Sequence, residues 1–427
     1  MKIAVIGGGS TYMPELMEGL LKHHNKMDLQ EVYLLDLKDS TKFKTVAELC
    51  IRMVEKADNP FDLKYGYESA DALTDADFII QQYRPGLIEG RINDEKIPLK
   101  YSSIGQETTG AGGFACGLRG FPVVEKYIEA IRKWAKPNAK VINFTNPSGM
   151  ISEFAVHYLE YENFYGLCNI PVNMIQGIAE SFNTEREAVF LRYYGLNHMS
   201  WVDGVWVNGE DITSKALKEV YKPENIPESA EFEELAMEMQ MILNPYLRYY
   251  YLTREMLKEE IESAAEKGTR GEQVRKIEKE LVAKYSRKDL DKKPEELSQR
   301  GGSMYSTAAV ELIRDLCNND NRLHIINTKN NGAVENLPSD YVLEINTVVS
   351  KDAAKPVTIG NADKRTTGLI HTIKNFERLT IESYTQNSTT KAKQALMLHP
   401  LAPKGKELDE MIKDLLDSNS KLMKNVS

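Results

Sequence analysis

The sequence, 427 residues long, predicts an α/β protein built on a doubly wound parallel sheet. Three observations carry this. Lys2–Ile6 is a short apolar run followed at once by Gly7, Gly8 and Gly9, and then by apolar residues at helical spacing, Leu16, Met17, Leu20 and Leu21. Short apolar runs recur at Glu31–Leu37, Leu63–Gly66, Asp77–Gln81, Lys140–Phe144 and Phe164–Leu167, with helical patterns between several of them. Continuous hydrophobicity, rather than strict alternation, marks strands covered on both faces.

The first strand, glycine turn and helix bring backbone N–H groups and a helix N-terminus to one point, an arrangement that binds a phosphate or pyrophosphate. A Cβ at the glycines would block the turn or the close approach of the ligand. The dinucleotide fingerprint is incomplete, because its third glycine would fall on Tyr12. A tight turn without a ligand is the competing reading. Asp36, at the end of the second strand, can accept hydrogen bonds from a ribose diol, which favours NAD over NADP. The first part of the chain is therefore expected to be a Rossmann-like domain.

The remaining elements follow in order. Lys42–Ala57 is an amphipathic helix. Arg84-Pro85-Gly86 and the charged stretch Arg91–Leu99 lead into a Gly- and Thr-rich loop, Ile104–Gly120, where open α/β sheets bind ligands. Phe121–Ala135 reads as a helix with Pro122 at an early position. Ser148, after Thr145-Asn146-Pro147, is placed to cap the next helix. Pro171 or Val172 opens another helix. Glu187–Leu196 and Trp201–Val207 are strands, the second with a hairpin signal in Asn208-Gly209. From about Ser229 long helices are expected, Glu259–Arg287 as a solvated Lys/Glu-rich face. Leu323–Asn327 and Tyr341–Val349 are strands, and Thr366–Met397 supplies closing helices. The expected boundary lies near residue 170, with 1–170 binding NAD and 171–427 forming a packed α+β domain that returns across the cofactor mouth.

A net charge of −9 argues against nucleic-acid or anionic-membrane partners. No apolar run approaches the roughly 20 residues needed to cross a bilayer. The strand beginning at residue 2 suggests no signal peptide, and four scattered cysteines suit free thiols in a reducing cytoplasm.

Cys168 and His198 each sit just past an expected strand end. Thiolate plus imidazole is a metal-ligand pair and also a nucleophile–base pair, with ordinary packing the bland reading. Two ligands make an incomplete site that substrate and water oxygens would complete, the open arrangement of a catalytic metal. Tyr246, Tyr249, Tyr250 and Tyr251 read first as aromatic packing. One could serve as a base only if a cation lowered its pKa from roughly 10. Arg84, Arg91, Arg119 and Arg300 are loop arginines that would clamp a phosphate if several converged.

With these motifs assembled, the chain resembles glycoside hydrolase family 4. The resemblance rests on IGGGSTYMPEL, RINDEKIPLKY, IGQETTGAGG, NFTNPSG, CNIP, NHMSW, NPYLRYY, RGGSMYS and NNGAVENLP, in family order. Within the family it is most similar to the 6-phospho-β-glucosidases, because Asn169 stands where the α-acting branch typically has Asp. The resemblance implies NAD bound by Gly7, Gly8, Gly9, Ser10, Thr11 and Asp36, and a divalent metal, usually manganese, held by Cys168 and His198. It implies Arg91, Asn146, Asn169 and Arg300 at the substrate, Tyr246 as catalytic base, and Glu107 helping to make that tyrosine basic. The implied cycle takes hydride from sugar C3, removes the C2 proton, eliminates the aglycone, adds water and returns the hydride. The expected substrate is a phosphorylated disaccharide or β-glucoside, and the expected assembly a homodimer or homotetramer. The rival readings are a dehydrogenase of the lactate/malate type, a family member acting on a non-phosphorylated or α-linked glycoside, and an NAD-sensing binding protein.

Overall fold

The computed structural model describes residues 1–38, 40–220, 230–300, 304–351 and 353–419. Thirteen strands are formed among them: β1 (Lys2–Ile6), β2 (Glu31–Leu35), β3 (Asp62–Gly66), β4 (Phe78–Gln81), β5 (Lys140–Asn143), β6 (Phe164–Gly166), β7 (Val189–Leu196), β8 (Met199–Val207), β9 (Glu210–Asp211), β10 (Ile242–Leu243), β11 (Arg322–Lys329), β12 (Val342–Ser350) and β13 (Ala353–Pro356). Nine make one sheet in the order β13-β12-β11-β6-β5-β4-β1-β2-β3. From β3 to β6 every pairing is parallel, and β11, β12 and β13 extend the edge antiparallel. The run β3-β2-β1-β4-β5-β6 is the doubly wound nucleotide-binding order, whose direction reverses between β1 and β4. β7, β8 and β10 form a second, antiparallel sheet, with β9 paired to β8.

Alternation along β1 divides the core as the sheet requires. Ile3 and Val5 pack with Leu16 and Leu20 on one face, while Ala4 and Ile6 join Phe114 and Leu118 on the other. Strands from both sides of residue 170 share the large sheet, β11–β13 having been drawn from the later half.

Several elements differ from expectation. The segment read as a loop to Gly120 becomes helical at Gly110, and one helix runs Gly110–Trp134. Its glycines serve close packing rather than turns: a Cβ on Gly112 would lie 2.2 Å from the Gln106 carbonyl oxygen, and one on Gly120 2.8 Å from Ile151 Cδ1. The charged stretch after Gly86 is also a helix, Leu87–Lys100, with Pro98 inside its last turn. Ser148 does not cap. It is the first residue of the helix Ser148–Glu153, and its hydroxyl has no hydrogen-bond partner. The stretch Phe232–Leu243 splits into a helix, Ala230–Met239, and the short β10.

Candidate active site

A cavity of about 530 Å³ opens where the parallel strands end. Its lining comes from residues just past β4 (Arg84), β5 (Phe144, Asn146) and β6 (Leu167, Cys168, Asn169), with Tyr12 from the N-terminus of the helix Met13–Met27. Ligands of open α/β sheets lie at this carboxyl edge, beside the switch point. Arg91, Glu107, His198 and Tyr246 line the same space. The structure thus gathers nine of the candidate residues singled out from sequence: Arg84, Arg91, Glu107, Asn146, Cys168, Asn169, His198, Tyr246 and Tyr249.

The glycine turn borders this edge. Gly7 adopts φ +91°, and a Cβ there would lie 2.8 Å from the Tyr83 backbone nitrogen, so the turns after β1 and β4 touch. A Cβ on Gly8 would meet Leu34 Cβ at 2.8 Å, and one on Gly9 would meet Asp36 Oδ2 at the same distance. Asp36 fastens the turn, accepting from the Gly9 N–H at 2.6 Å through Oδ2 and from the Leu37 N–H at 2.7 Å through Oδ1. Ser10 is half-buried, while Thr11 is fully buried and its hydroxyl lacks a partner. Tyr12, where the fingerprint would have its third glycine, precedes the helix as its N-cap and faces the cavity. These groups fit a dinucleotide at the turn.

His198 is delivered by the second sheet. Asn197 and His198 form the tight turn between β7 and β8, with His198 at φ +63°, which few non-glycine residues adopt. Its Nδ1 shares a 2.9 Å hydrogen bond with Thr108 Oγ1, leaving Nε2 for another partner. Burial lowers its pKa to about 4, so the imidazole is neutral at pH 7, the form that ligates metals. Burial, helped by Glu344, pushes the Cys168 thiol well above its ordinary value. A free thiol so placed is a poor nucleophile, whereas a cation would hold it as thiolate, so the pair fits a metal better than a thiol catalyst. Among the described residues no group of three His, Cys, Asp or Glu is placed to hold a metal ion.

Tyr246 stacks face to face on His198, ring centroids 4.0 Å apart and planes within 4°. It sits in the short turn Pro245–Leu247, capped by Asn244, whose Oδ1 accepts from the Tyr246 N–H at 3.0 Å. Burial, Tyr249 and Cys168 raise its pKa, Glu107 adds to this, and Arg91 opposes it. Glu107 accepts from Arg84 Nε at 2.7 Å and pairs with Arg91 Nη1 at 3.2 Å. Burial would lift the Glu107 carboxyl, but the two guanidinium groups prevail and hold it at about 2. Arg91 also donates from Nε to Glu95 Oε1 at 2.7 Å, and Glu95 Oε2 accepts from the Gly271 N–H at 2.6 Å.

Three readings need correction or limit. Arg119 belongs to no loop and does not line the cavity. It is fully buried in the long helix, paired with Asp94 through both terminal nitrogens, and donates to Asn419 Oδ1 at 2.9 Å. The side chain of Arg300 lies outside the described residues. The solvated face expected over Glu259–Arg287 is two helices, Thr253–Glu266 and Arg270–Tyr285, and Glu259, Glu260, Thr269, Arg270 and Gln273 line the cavity. The sequence held a signal for this break: Gly268 followed by Thr269-x-x-Glu272, a capping box that the structure forms. The cavity carboxyl Glu260, lifted by burial to about 7, accepts from the Gly105 N–H at 2.8 Å.

Strand order, glycine turn and a cavity at the switch point define a Rossmann-like protein. The chain belongs to family 4 of the glycosyl hydrolases: residues 2–184 match the family model described as "Family 4 glycosyl hydrolase", and 193–402 match its C-terminal domain. Among curated relatives, the 6-phospho-β-glucosidase BglT of Thermotoga maritima is 46% identical, over 99% of this chain and 100% of that one. A probable 6-phospho-β-glucosidase of Bacillus subtilis is 37% identical over 98% of this chain and 96% of its own. Among solved structures, the Thermotoga maritima 6-phospho-β-glucosidase with manganese, NAD⁺ and glucose-6-phosphate superposes with a TM-score of 0.92 at 45% identity, covering 99% of each chain. Among the described residues no helix is long and apolar enough to cross a membrane.

Proposed function

We propose that this chain hydrolyses 6-phospho-β-glucosides with NAD and a divalent cation, Mn²⁺, as recycled catalysts. The observation that carries the reading is the convergence of Cys168, His198, Tyr246 and the arginine-flanked Glu107 in one cavity beside the glycine turn. The relatives at 46% and 37% identity, both described as acting on 6-phospho-β-glucosides, support it. A lactate-type dehydrogenase has no use for Cys168 beside a buried tyrosine, and an NAD-sensing protein has none for either.

When bound, NAD supplies a reversible hydride acceptor and the cation a Lewis acid. The chain supplies the rest. Cys168 and His198 hold the cation, and the neutral, Thr108-anchored imidazole is ready for it without losing a proton. Tyr246 takes the proton from sugar C2. Glu107, like burial, raises the proton affinity of Tyr246 and so makes its phenolate the stronger base, while Arg91 favours the phenolate form itself. Arg91, Asn146, Asn169 and Arg300 orient the sugar phosphate, and Gly7–Thr11 with Asp36 hold the nucleotide. The nucleotide half ends near residue 170, with the site at the junction. The assembly is a homodimer or homotetramer in the cytoplasm, which light scattering and fractionation test.

The direct test compares p-nitrophenyl β-glucoside with its 6-phosphate, with NAD⁺ and Mn²⁺ present. Nitrophenol release from the phosphorylated substrate alone is the expected result. Turnover of the unphosphorylated glucoside at an equal rate, or full activity without NAD⁺ and metal, overturns the proposal.

A further inference from the structure

A fully buried carboxyl group outside the cavity lining is hydrogen-bonded to the elements that carry the site. Glu344, on β12, is fully buried, and each of its oxygens begins a separate hydrogen-bonded path toward the site. Oε1 accepts from Asn197 Nδ2 at 2.9 Å, and from Asn327 Nδ2 at 3.3 Å. Asn197 immediately precedes His198 in the tight turn, and its side chain lies beside the Cys168 thiol. Oε2 accepts from the Tyr193 hydroxyl at 2.5 Å, and that hydroxyl lies 2.5 Å from Ser200 Oγ. Ser200 Oγ accepts from Asn244 Nδ2 at 2.9 Å, and Asn244 caps the turn that presents Tyr246.

We infer that Glu344 is a positioning residue with two arms: Asn197 sets the Cys168–His198 pair, and Tyr193–Ser200–Asn244 sets Tyr246. The physical case is geometric. Cys168 follows a strand of the large sheet, while His198 and Tyr246 belong to the second sheet and its neighbouring turn. Their relative placement depends on how the two sheets meet. One buried acceptor that ties an Asn of the β7–β8 turn to a Tyr of β7 fixes that junction through polar bonds of defined direction, which apolar packing alone does not supply. Asn327 ties the same oxygen to β6 through the Gly166 carbonyl at 3.1 Å, so the carboxylate also faces the strand leading to Cys168. A fully buried carboxylate is costly unless it is satisfied, and three donors satisfy this one.

The inference rests on the proposed metal-dependent activity, and its test separates the two. Mn²⁺ affinity is read by the free-Mn²⁺ electron paramagnetic resonance signal, NAD⁺ affinity by titration calorimetry, and kcat and KM on p-nitrophenyl β-glucoside 6-phosphate. In the folded holoenzyme Glu344→Gln should weaken Mn²⁺ binding about 10- to 100-fold, the usual effect of losing an outer-shell partner. It should also lower kcat, and leave NAD⁺ affinity within about twofold. Two further variants separate the arms and stand in should Glu344→Gln fail to fold. Asn197→Ala should weaken Mn²⁺ binding, while Tyr193→Phe, which keeps the ring in place, should lower kcat with Mn²⁺ affinity and KM within about twofold of wild type. Folded Glu344→Gln with wild-type Mn²⁺ affinity and kcat overturns the inference, as do Asn197→Ala and Tyr193→Phe that move both readouts alike. A wild-type chain that binds no Mn²⁺ overturns the proposed function instead.

Discussion

Replacing Glu107 by Gln tests the electrostatics of the cavity most sharply. Glu107 is 5% exposed, between Arg84 and Arg91, and they hold its carboxyl at about 2 against an ordinary 4.5. At about 1.4 kcal/mol per tenfold change in proton affinity, this is worth ~3 kcal/mol of stability at neutral pH. Removing one partner of a buried ion pair costs about 3–5 kcal/mol by a separate route, so the two magnitudes agree. The folded pKa lies below the unfolded one, so this stabilisation is complete above pH 4.5 and drains as pH falls toward 2. Glu107→Gln should therefore lower the urea-unfolding free energy by ~3 kcal/mol at pH 7, and the gap to wild type should narrow as pH falls below 4.5. A gap under about 1 kcal/mol at pH 7, or one unchanged between pH 7 and 3, would refute the reasoning.

Other consequences follow from single contacts. Tyr246→Phe keeps the ring stacked on His198 but loses the proton acceptor, so kcat should fall about 10²- to 10⁴-fold with the melting temperature little changed. Cys168→Ser should weaken Mn²⁺ binding by at least about tenfold and leave NAD⁺ affinity intact, as titration of each ligand would show. Gly9→Ala should do the opposite: its Cβ would lie 2.8 Å from Asp36 Oδ2, so the turn must shift and NAD⁺ affinity should drop while Mn²⁺ affinity holds. Gly112→Ala, 2.2 Å from the Gln106 carbonyl oxygen, should destabilise the chain by about 2 kcal/mol or more, measured by denaturant midpoint.

Much of the fold was legible because parallel strands declare themselves as continuous apolar runs. β1, β2, β4, β5 and β6 were all readable in this way, as was the glycine turn. Residues at the ends of those runs, Asn146, Cys168 and Asn169, fall in the cavity because strand ends of such sheets share one edge. The rest depended on tertiary context. Gly112 and Gly120 look like loop residues in sequence, yet they are small because neighbouring backbone and Ile151 leave no room for a Cβ. Arg119 resembles a phosphate clamp until its buried partner Asp94 is known. Residues 259–274 look solvated because helical charge patterns do not tell water from a polar cavity. Glu344 gave no signal at all, since one acid in an apolar strand is silent until its three donors are in place.

In the proposed cycle the nucleotide opens and closes a hydrolysis rather than carrying out a net oxidation. Hydrolysis of p-nitrophenyl β-glucoside 6-phosphate in D₂O, with NAD⁺ and Mn²⁺, tests it directly by mass spectrometry of the sugar phosphate and NADH absorbance. Deuterium should appear at C2 of the released sugar phosphate, and no NADH should accumulate with turnover. A product without deuterium at C2, or NADH formed in step with substrate consumed, would contradict it.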